Sequence, residues 1–141
     1  MEEKMNEIVI EPLEAYDALE LLPLYAAVGW TNYTARPEML ERAFSGSLCA
    51  LAARAGGRLA GVVRAVGDGA SVLYVQDLLV LPEYQRRGLG GRMLRELLAR
   101  YPDVYQTVLL TDDTPEHAAF YEHAGFTNAA KYGCGAYVIV K

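Results

Sequence analysis

The stretch that decides the fold is Leu78-Leu79-Val80-Leu81-Pro82-Glu83-Tyr84-Gln85-Arg86-Arg87-Gly88-Leu89-Gly90-Gly91-Arg92. An apolar, β-rich run meets a proline, passes through a basic glycine-rich turn and enters a helical period. The first N–H groups of a helix have no partner inside it and carry the positive end of its dipole. Glycines let an anion approach that backbone without interference from a Cβ. Charge-assisted hydrogen bonds contribute roughly 1.5–3 kcal/mol each, so several could hold a diphosphate without a metal. A P-loop would need Gly-Lys-Ser/Thr, which is absent. A dinucleotide fingerprint would need G-x-G-x-x-G, but Met stands at position 93. The plainer alternative is a glycine-rich strand–helix turn carrying solvated arginines.

Upstream, Ser71 to Val80 reads as a central strand buried on both faces. Downstream, Leu89, Met93, Leu94, Leu97 and Leu98 form one apolar stripe of a helix from Gly88 to Tyr101, closed by Pro102. Further out, Glu7–Ile10 is a short strand. Asp17–Val28 is a helix with Leu19, Leu22 and Ala26 on one stripe, interrupted at Pro23 and stopped by Gly29. Thr34–Ser45 is a second helix with Pro37 near its first turn. Leu48–Ala55 and Arg58–Val66 are strands around a Gly56-Gly57 hairpin turn, and Gly67-Asp68-Gly69 makes the next turn. Val104–Thr111 is a strand. Pro115–Ala124 is a helix capped by Asp113 or Thr114 and ended by Gly125. Ala136–Val140 is a last strand. The order predicts an α/β (α+β) domain over residues 1–141, with a mixed central sheet of about seven strands and about four helices on both faces.

The 141-residue length fits one core. A net charge of −5, with 52% apolar and 22% charged residues, excludes disorder and the overall basic field of a nucleic-acid binder. Residues 2–20 hold seven acids and one base, whereas residues 86–100 hold five arginines and one acid. That local charge suits a small anionic ligand. The Met1-Glu2-Glu3-Lys4 start has no signal-peptide core and no run is long enough to span a membrane, so the expected address is the cytoplasm. Cys49 and Cys134 read as reduced thiols, Cys134 as a small buried filler. Neither makes metal-ligand spacing with His117 or His123, which are expected on the surface.

Gln85-Arg86-Arg87-Gly88-Leu89-Gly90, preceded by Val80-Leu81-Pro82, resembles the Q/R-x-x-G-x-G/A motif of the GCN5-related N-acetyltransferases, the GNAT superfamily. Ala118-Ala119-Phe120-Tyr121-Glu122-His123-Ala124-Gly125-Phe126 resembles that family's A-x-x-F-Y-x-x-x-G-F helix. The order of elements is similar from end to end. The resemblance implies the GNAT fold, acetyl-CoA as cofactor, and an acetyl transfer to an amine by direct attack in a ternary complex. It implies pyrophosphate contacts from Gln85, Arg86, Arg87, Gly88, Leu89, Gly90 and Gly91. Backbone contacts to the thioester and pantetheine are implied for Leu78, Leu79 and Val80, with an oxyanion donor among them, because GNAT strands splay at that point. It places Tyr121 beside the thioester sulfur. Many members carry Asn where this chain has Thr114, so the contact to the pantetheine region there rests on a hydroxyl. Val28-Gly29-Trp30-Thr31-Asn32-Tyr33, Arg64–Gly69 and Asp77–Val80 are also similar to a bacterial group related to plastid serotonin N-acetyltransferases, which implies an arylalkylamine or other small amine.

Acetyl transfer needs a neutral amine, a donor for the oxyanion and a proton for the departing thiolate; holding the reactants in line supplies much of the acceleration. Tyr121, a phenol with reference pKa of about 10, is the candidate general acid; the alternative is packing of its helix. Phe120 and Phe126 are expected in the core. Gln76 and Asp77 interrupt an apolar strand, and a buried carboxylate is costly without a partner. Asp77 could accept the amine proton, bind a cationic substrate, or pair with an arginine or a backbone group. Trp30, Asn32 and Tyr33 lie between the first two helices, where GNAT members usually build the acceptor pocket. Their rings could stack on a substrate ring or hold an ammonium, or could simply pack a turn. Tyr105, Gln106 and Tyr132 are weaker candidates for pocket walls.

The expected partner is a small-molecule amine, with no nucleic acid and no membrane; a homodimer is left open. Acetylation of a protein N-terminus or lysine, and a non-catalytic acyl-CoA-binding module, are the competing readings.

Overall fold

A computed structural model describes residues 7–141; the Met1–Lys4 start lies outside the described residues. The described residues form two compact units, one extending to Leu110 and the other over residues 111–141.

The first unit is built on a five-stranded sheet in the order β1-β2-β3-β4-β5. Its strands are β1 (Val9–Pro12), β2 (Cys49–Ala55), β3 (Arg58–Gly67), β4 (Val72–Val80) and β5 (Gln106–Leu109). The first four run antiparallel and β5 joins β4 in parallel, which makes the sheet mixed. Gly56 and Gly57 both have positive φ, 58° and 85°, as the twist-matched two-residue hairpin turn requires. In the next turn one Asp68 oxygen accepts from the backbone N–H of Ala70, Ser71 and Val72, and the other accepts from the Ser71 hydroxyl. The Ser71 hydroxyl first, and then the three N–H groups, hold this exposed carboxyl well below the usual carboxylate range.

Helices α1 (Ala18–Ala27), α2 (Thr31–Thr34, one turn), α3 (Pro37–Ser45) and α4 (Leu89–Ala99) complete this unit. Asp17 caps α1 by accepting from Leu19 N–H. At its other end Gly29 (φ 81°) donates to Ala26 O and Trp30 N–H to Tyr25 O, the paired bonds of a glycine-terminated helix. Trp30 then packs its ring on Tyr25, with centroids 6.0 Å apart. The buried stripe of α1 is Leu21, Leu24 and Tyr25, not the expected Leu19, Leu22 and Ala26; Leu19 is exposed. A bidentate Arg54–Glu20 pair at 2.9 and 3.0 Å ties α1 to β2. The second expected helix, Thr34–Ser45, begins only at Pro37, its first helical position, after a break at Ala35–Arg36 that separates it from the single turn α2.

Helix α1 packs on β3 and β4, as does α4, which also reaches β2. Even-numbered Arg64 of β3 reaches toward α3, donating to Ala43 O and Ser47 Oγ. Odd-numbered Gly61 lies under Met93 of α4: a Cβ there would stand 2.8 Å from the Met93 methyl and 2.7 Å from Leu79 O. The two residues point to opposite faces of the strand, so helices cover the sheet on both sides. The strand buried along nearly its whole length is β3; β4 instead alternates, with Leu73, Val75, Asp77 and Leu79 buried and Gln76 exposed.

The second unit holds α5 (Pro115–His123) and a 3-10 turn (Ala129–Tyr132). Thr114 is the N-cap, accepting from His117 N–H at 3.2 Å. Residues 136–140 form no strand, so five of the six strands placed along the sequence are present and the expected total of about seven is corrected to five. A β-prone run becomes a strand only when another strand takes its hydrogen bonds, and among the described residues none does. Cys134 is exposed, correcting its expected burial.

Candidate functional site

After β4 the chain makes one 3-10 turn (Pro82–Tyr84), and Gln85 turns back to donate from Nε2 to Val80 O at 2.8 Å. The next residue, Arg86, has φ 63°, the only described non-glycine with positive φ. Gly88 follows at φ 82° as the N-cap of α4, and nothing lies within 4 Å of the position its Cβ would take. The first N–H of α4 to find a helical acceptor is that of Arg92, which donates to Gly88 O at 3.0 Å. The six N–H groups from Arg86 to Gly91 have no acceptor among the described residues. Two left-handed residues in three turn these amides into a donor-lined cradle of the kind that binds anions. Arg86 and Arg87 are exposed beside it. Arg92 is half-buried and donates weakly to Ile8 O at 3.4 Å, while Arg95 and Arg100 are solvated. Leu89 is buried beneath the turn as the first anchor of α4. Gln85 thus braces the turn, and the unoccupied donors there are backbone groups.

Strand β5 pairs with β4 only from Val72 to Val75, so β4 has no neighbour on that side from Gln76 to Val80. Leu81 N–H donates to Ala60 O across the antiparallel ladder. Alternation then turns the backbone groups of Leu79 toward β3 and those of Leu78 and Val80 toward the open side. Gln85 occupies the Val80 carbonyl, which leaves the Leu78 and Val80 N–H groups as the free donors. The Leu79 side chain is core.

Also on β4, Asp77 is 1% exposed. One of its oxygens accepts from Arg64 Nε and from Tyr25 Oη, both at 2.8 Å, and the other accepts from Tyr33 Oη at 3.3 Å. Arg64 is completed by Ser47 Oγ, Ala43 O and the Phe44 ring, 5.4 Å from its guanidinium carbon. Burial first, and then the Asp77 charge, push the phenols of Tyr25 and Tyr33 above their ordinary range. Of the openings left for Asp77, pairing with an arginine is the one that this geometry carries. Its charge is matched, and its oxygens are occupied by protein donors.

Tyr33 Oη also accepts from Gln76 Nε2 at 3.4 Å. Trp30 and Tyr33 stack on each other, centroids 6.0 Å apart and planes 27° apart. That spacing leaves no slot for a third ring between them, so a ligand ring would meet an outer face. Asn32 is exposed.

In the second unit, Tyr121 is half-buried, with Phe120 and Phe126 edge-on at 4.9 and 5.8 Å. Burial raises its phenol above the ordinary value, partly opposed by a hydrogen bond with Thr111. Thr114 Oγ1 is engaged by His117, through its backbone and its ring nitrogen at 2.7 Å. Tyr105 and Tyr132 are largely exposed.

Register hides one member from sequence reading. Arg64, thirteen residues before Asp77, carries no motif; only the hairpin between β3 and β4 brings the two together.

Residues 46–128 match the family model described as "Acetyltransferase (GNAT) domain". The chain is 31% identical over 70 residues to an uncharacterised N-acetyltransferase, ycf52, of Gracilaria tenuistipitata var. liui. That match spans 48% of this chain and about a third (37%) of the length of that relative. Among solved structures, the GNAT family acetyltransferase SP0256 of Streptococcus pneumoniae superposes with a TM-score of 0.86 at 40% identity, over 95% of this chain and 98% of that one. A GNAT family acetyltransferase from Brucella melitensis, in complex with acetyl-CoA, shares the fold at 24% identity, with a TM-score of 0.65 over 86% and 83% of the two chains. With the cradle after β4, the open edge beyond Val75 and a family model covering more than half of the residues, the chain belongs to the GNAT acetyltransferase family.

Proposed function

We propose that this protein transfers the acetyl group of acetyl-CoA to the primary amine of a small molecule, by direct attack while both are bound. The observation that carries the cofactor is the run of six unpartnered N–H groups from Arg86 to Gly91. It fits a diphosphate, with Arg86 and Arg87 beside it to balance charge. Bound there, acetyl-CoA supplies the activated acyl group. The Leu78 and Val80 N–H groups are the donors for a carbonyl oxygen lying along the open edge of β4. Tyr121, whose proton is held more tightly than in a free phenol, is the donor to a departing thiolate; the protons that the amine nitrogen gives up before and after attack pass to water, which also restores the phenol.

The acceptor lies against the Trp30–Tyr33 pair, with Gln76 exposed beside it. Cation–π attraction or stacking on an outer ring face selects a cationic or aromatic amine. Because Arg64 matches the charge of Asp77, the ring faces rather than that carboxylate attract an ammonium. Asp77 holds Tyr33 in place and is a positioning residue. The protein acts as a single GNAT domain in the cytoplasm. No described helix is long and apolar enough to cross a membrane.

The test is release of CoA thiol from acetyl-CoA with tryptamine-like amines, polyamines, amino acids and a lysine-containing peptide. Turnover of the small amines is expected. Acetylation of the peptide alone would replace this reading with protein acetylation, and acyl-CoA binding without any turnover would replace it with a binding module. Tyr121→Phe should lower kcat about 100-fold with CoA affinity nearly intact. Trp30→Ala should raise KM for an aromatic amine several-fold and leave KM for acetyl-CoA alone.

A further inference from the structure

We propose that the bulge at Gln76 makes this residue the specificity-determining contact for the acceptor's nitrogen: its amide oxygen, aimed by Tyr33, accepts an N–H of the bound amine. The inference deepens the acetyl-transfer reading, on which the identity of the ligand rests.

The bulge follows from the register. Arg64 of β3 faces Asp77 and Ala65 faces Val75, so Gln76 is an extra residue with no partner on β3. It has none on β5 either, because that pairing ends at Val75. Neighbours in a regular strand point to opposite faces. Gln76 and Asp77 nonetheless both meet the Tyr33 hydroxyl. Gln76 donates to it from Nε2 at 3.4 Å, and it donates to Asp77 Oδ1 at 3.3 Å. The bulge thus turns Gln76 to the side where Trp30 and Tyr33 stack, and leaves it exposed there.

Tyr33 offers a single proton. Asp77, paired with Arg64, is an acceptor and takes it. The phenol oxygen can then only accept from Gln76, so the end of the amide that meets it is the NH2. That donation opposes the upward push of burial and of Asp77 on the Tyr33 phenol. The other end, Oε1, faces away from the phenol and has no hydrogen bond among the described residues. A buried ion pair thereby orients an exposed amide through one hydroxyl.

An oriented carbonyl beside aromatic faces suits an N–H donor on an aromatic or cationic ligand. Its neutrality matters. An amide oxygen accepts from an ammonium and also from the neutral amine that must form before attack, so the contact outlasts the loss of the proton. A carboxylate there would stabilise the charged form and hold that proton on the nitrogen. Gln76 also begins the stretch of β4 that β5 leaves open, two residues before Leu78. The contact for the nitrogen and the donor for the carbonyl oxygen thus share one stretch of strand.

The test is calorimetric titration of the CoA-bound protein with tryptamine and with ethylindole, which has the same ring and no amine. Gln76→Leu should weaken tryptamine binding about tenfold or more, the loss of one charge-assisted hydrogen bond, and leave ethylindole and CoA affinity unchanged. Tyr33→Phe keeps the ring but frees the amide, and should weaken tryptamine several-fold. The double variant should bind tryptamine no more weakly than Gln76→Leu alone, since the hydroxyl acts through the amide. Equal losses for both ligands in Gln76→Leu, or no loss for either, would overturn the proposal. So would additive losses in the double variant, or a wild type that does not bind tryptamine. The expected binding pattern without turnover would strike acetyl transfer and leave the Gln76 contact standing. Turnover with an amine KM unchanged by Gln76→Leu would strike the contact alone.

Discussion

Strand β4 and the turn that follows it treat polar groups in opposite ways. At Asp77 a buried charge meets a guanidinium and two phenols, and its oxygens are occupied by protein donors. At Arg86–Gly91 six backbone donors stand together with no acceptor among the described residues. The difference teaches how to separate scaffold from ligand site. A closed set of polar partners holds a structure in place, whereas a concentrated set of open ones waits for something to bind.

The comparison breaks if removing the closed set costs little. Asp77→Ala leaves Arg64 charged, buried and unpaired, which should destabilise the fold by about 3–5 kcal/mol. Thermal unfolding should show a drop of roughly 10 °C. The double variant Asp77→Leu/Arg64→Met should recover much of that loss, because no lone charge remains. Equal destabilisation by the single and double variants would mean that packing, not charge pairing, matters there.

The open set predicts the reverse pattern. Gly90→Val should weaken CoA binding by more than about 100-fold, the loss of two charge-assisted hydrogen bonds, with little change in melting temperature. Titration calorimetry beside a melting curve separates the outcomes, and unchanged affinity in a folded variant would remove the cradle from the site.

The smallest effect lies in the turn before β4. The Asp68 carboxyl is held below its ordinary range, so its bonds stabilise the fold above the unfolded-state value of about 3.9 and are lost as the pH falls through the lower folded-state value. Asp68→Asn should melt slightly below the wild type at neutral pH, and the gap should close with acidification below about pH 4. A gap that widened in acid would contradict this sign.

The cradle was legible in the sequence because its parts are contiguous: an apolar run, a proline, a basic turn with glycines and a helical stripe. The Asp77 partnership was not. Gly67 faces Leu73 and Ala65 faces Val75, and a regular ladder would then set Arg64 opposite Gln76. An irregularity between Arg64 and Ala65 sets it opposite Asp77 instead. A bulge of this kind leaves no mark in composition or periodicity. The stripe of α1 was misread because Pro23 and the apolar residues around it give that helix little amphipathic contrast, whereas in α4 the arginines mark the outer face. The Ala136–Val140 run has strand composition, yet composition cannot say which backbone will receive it.

Gly61, beneath α4, carries a consequence for affinity. A side chain there would act as a wedge between the sheet and the helix, since both Met93 and the Leu79 carbonyl already occupy the space a methyl would need. The helix so lifted is the one whose first turn supplies the last donors of the cradle. The grip on an anion is thus adjustable from underneath, at a position that no ligand touches. Among homologous chains, changes of residue size at this point and at position 93 should move as a matched pair, like a shim and the part that it levels.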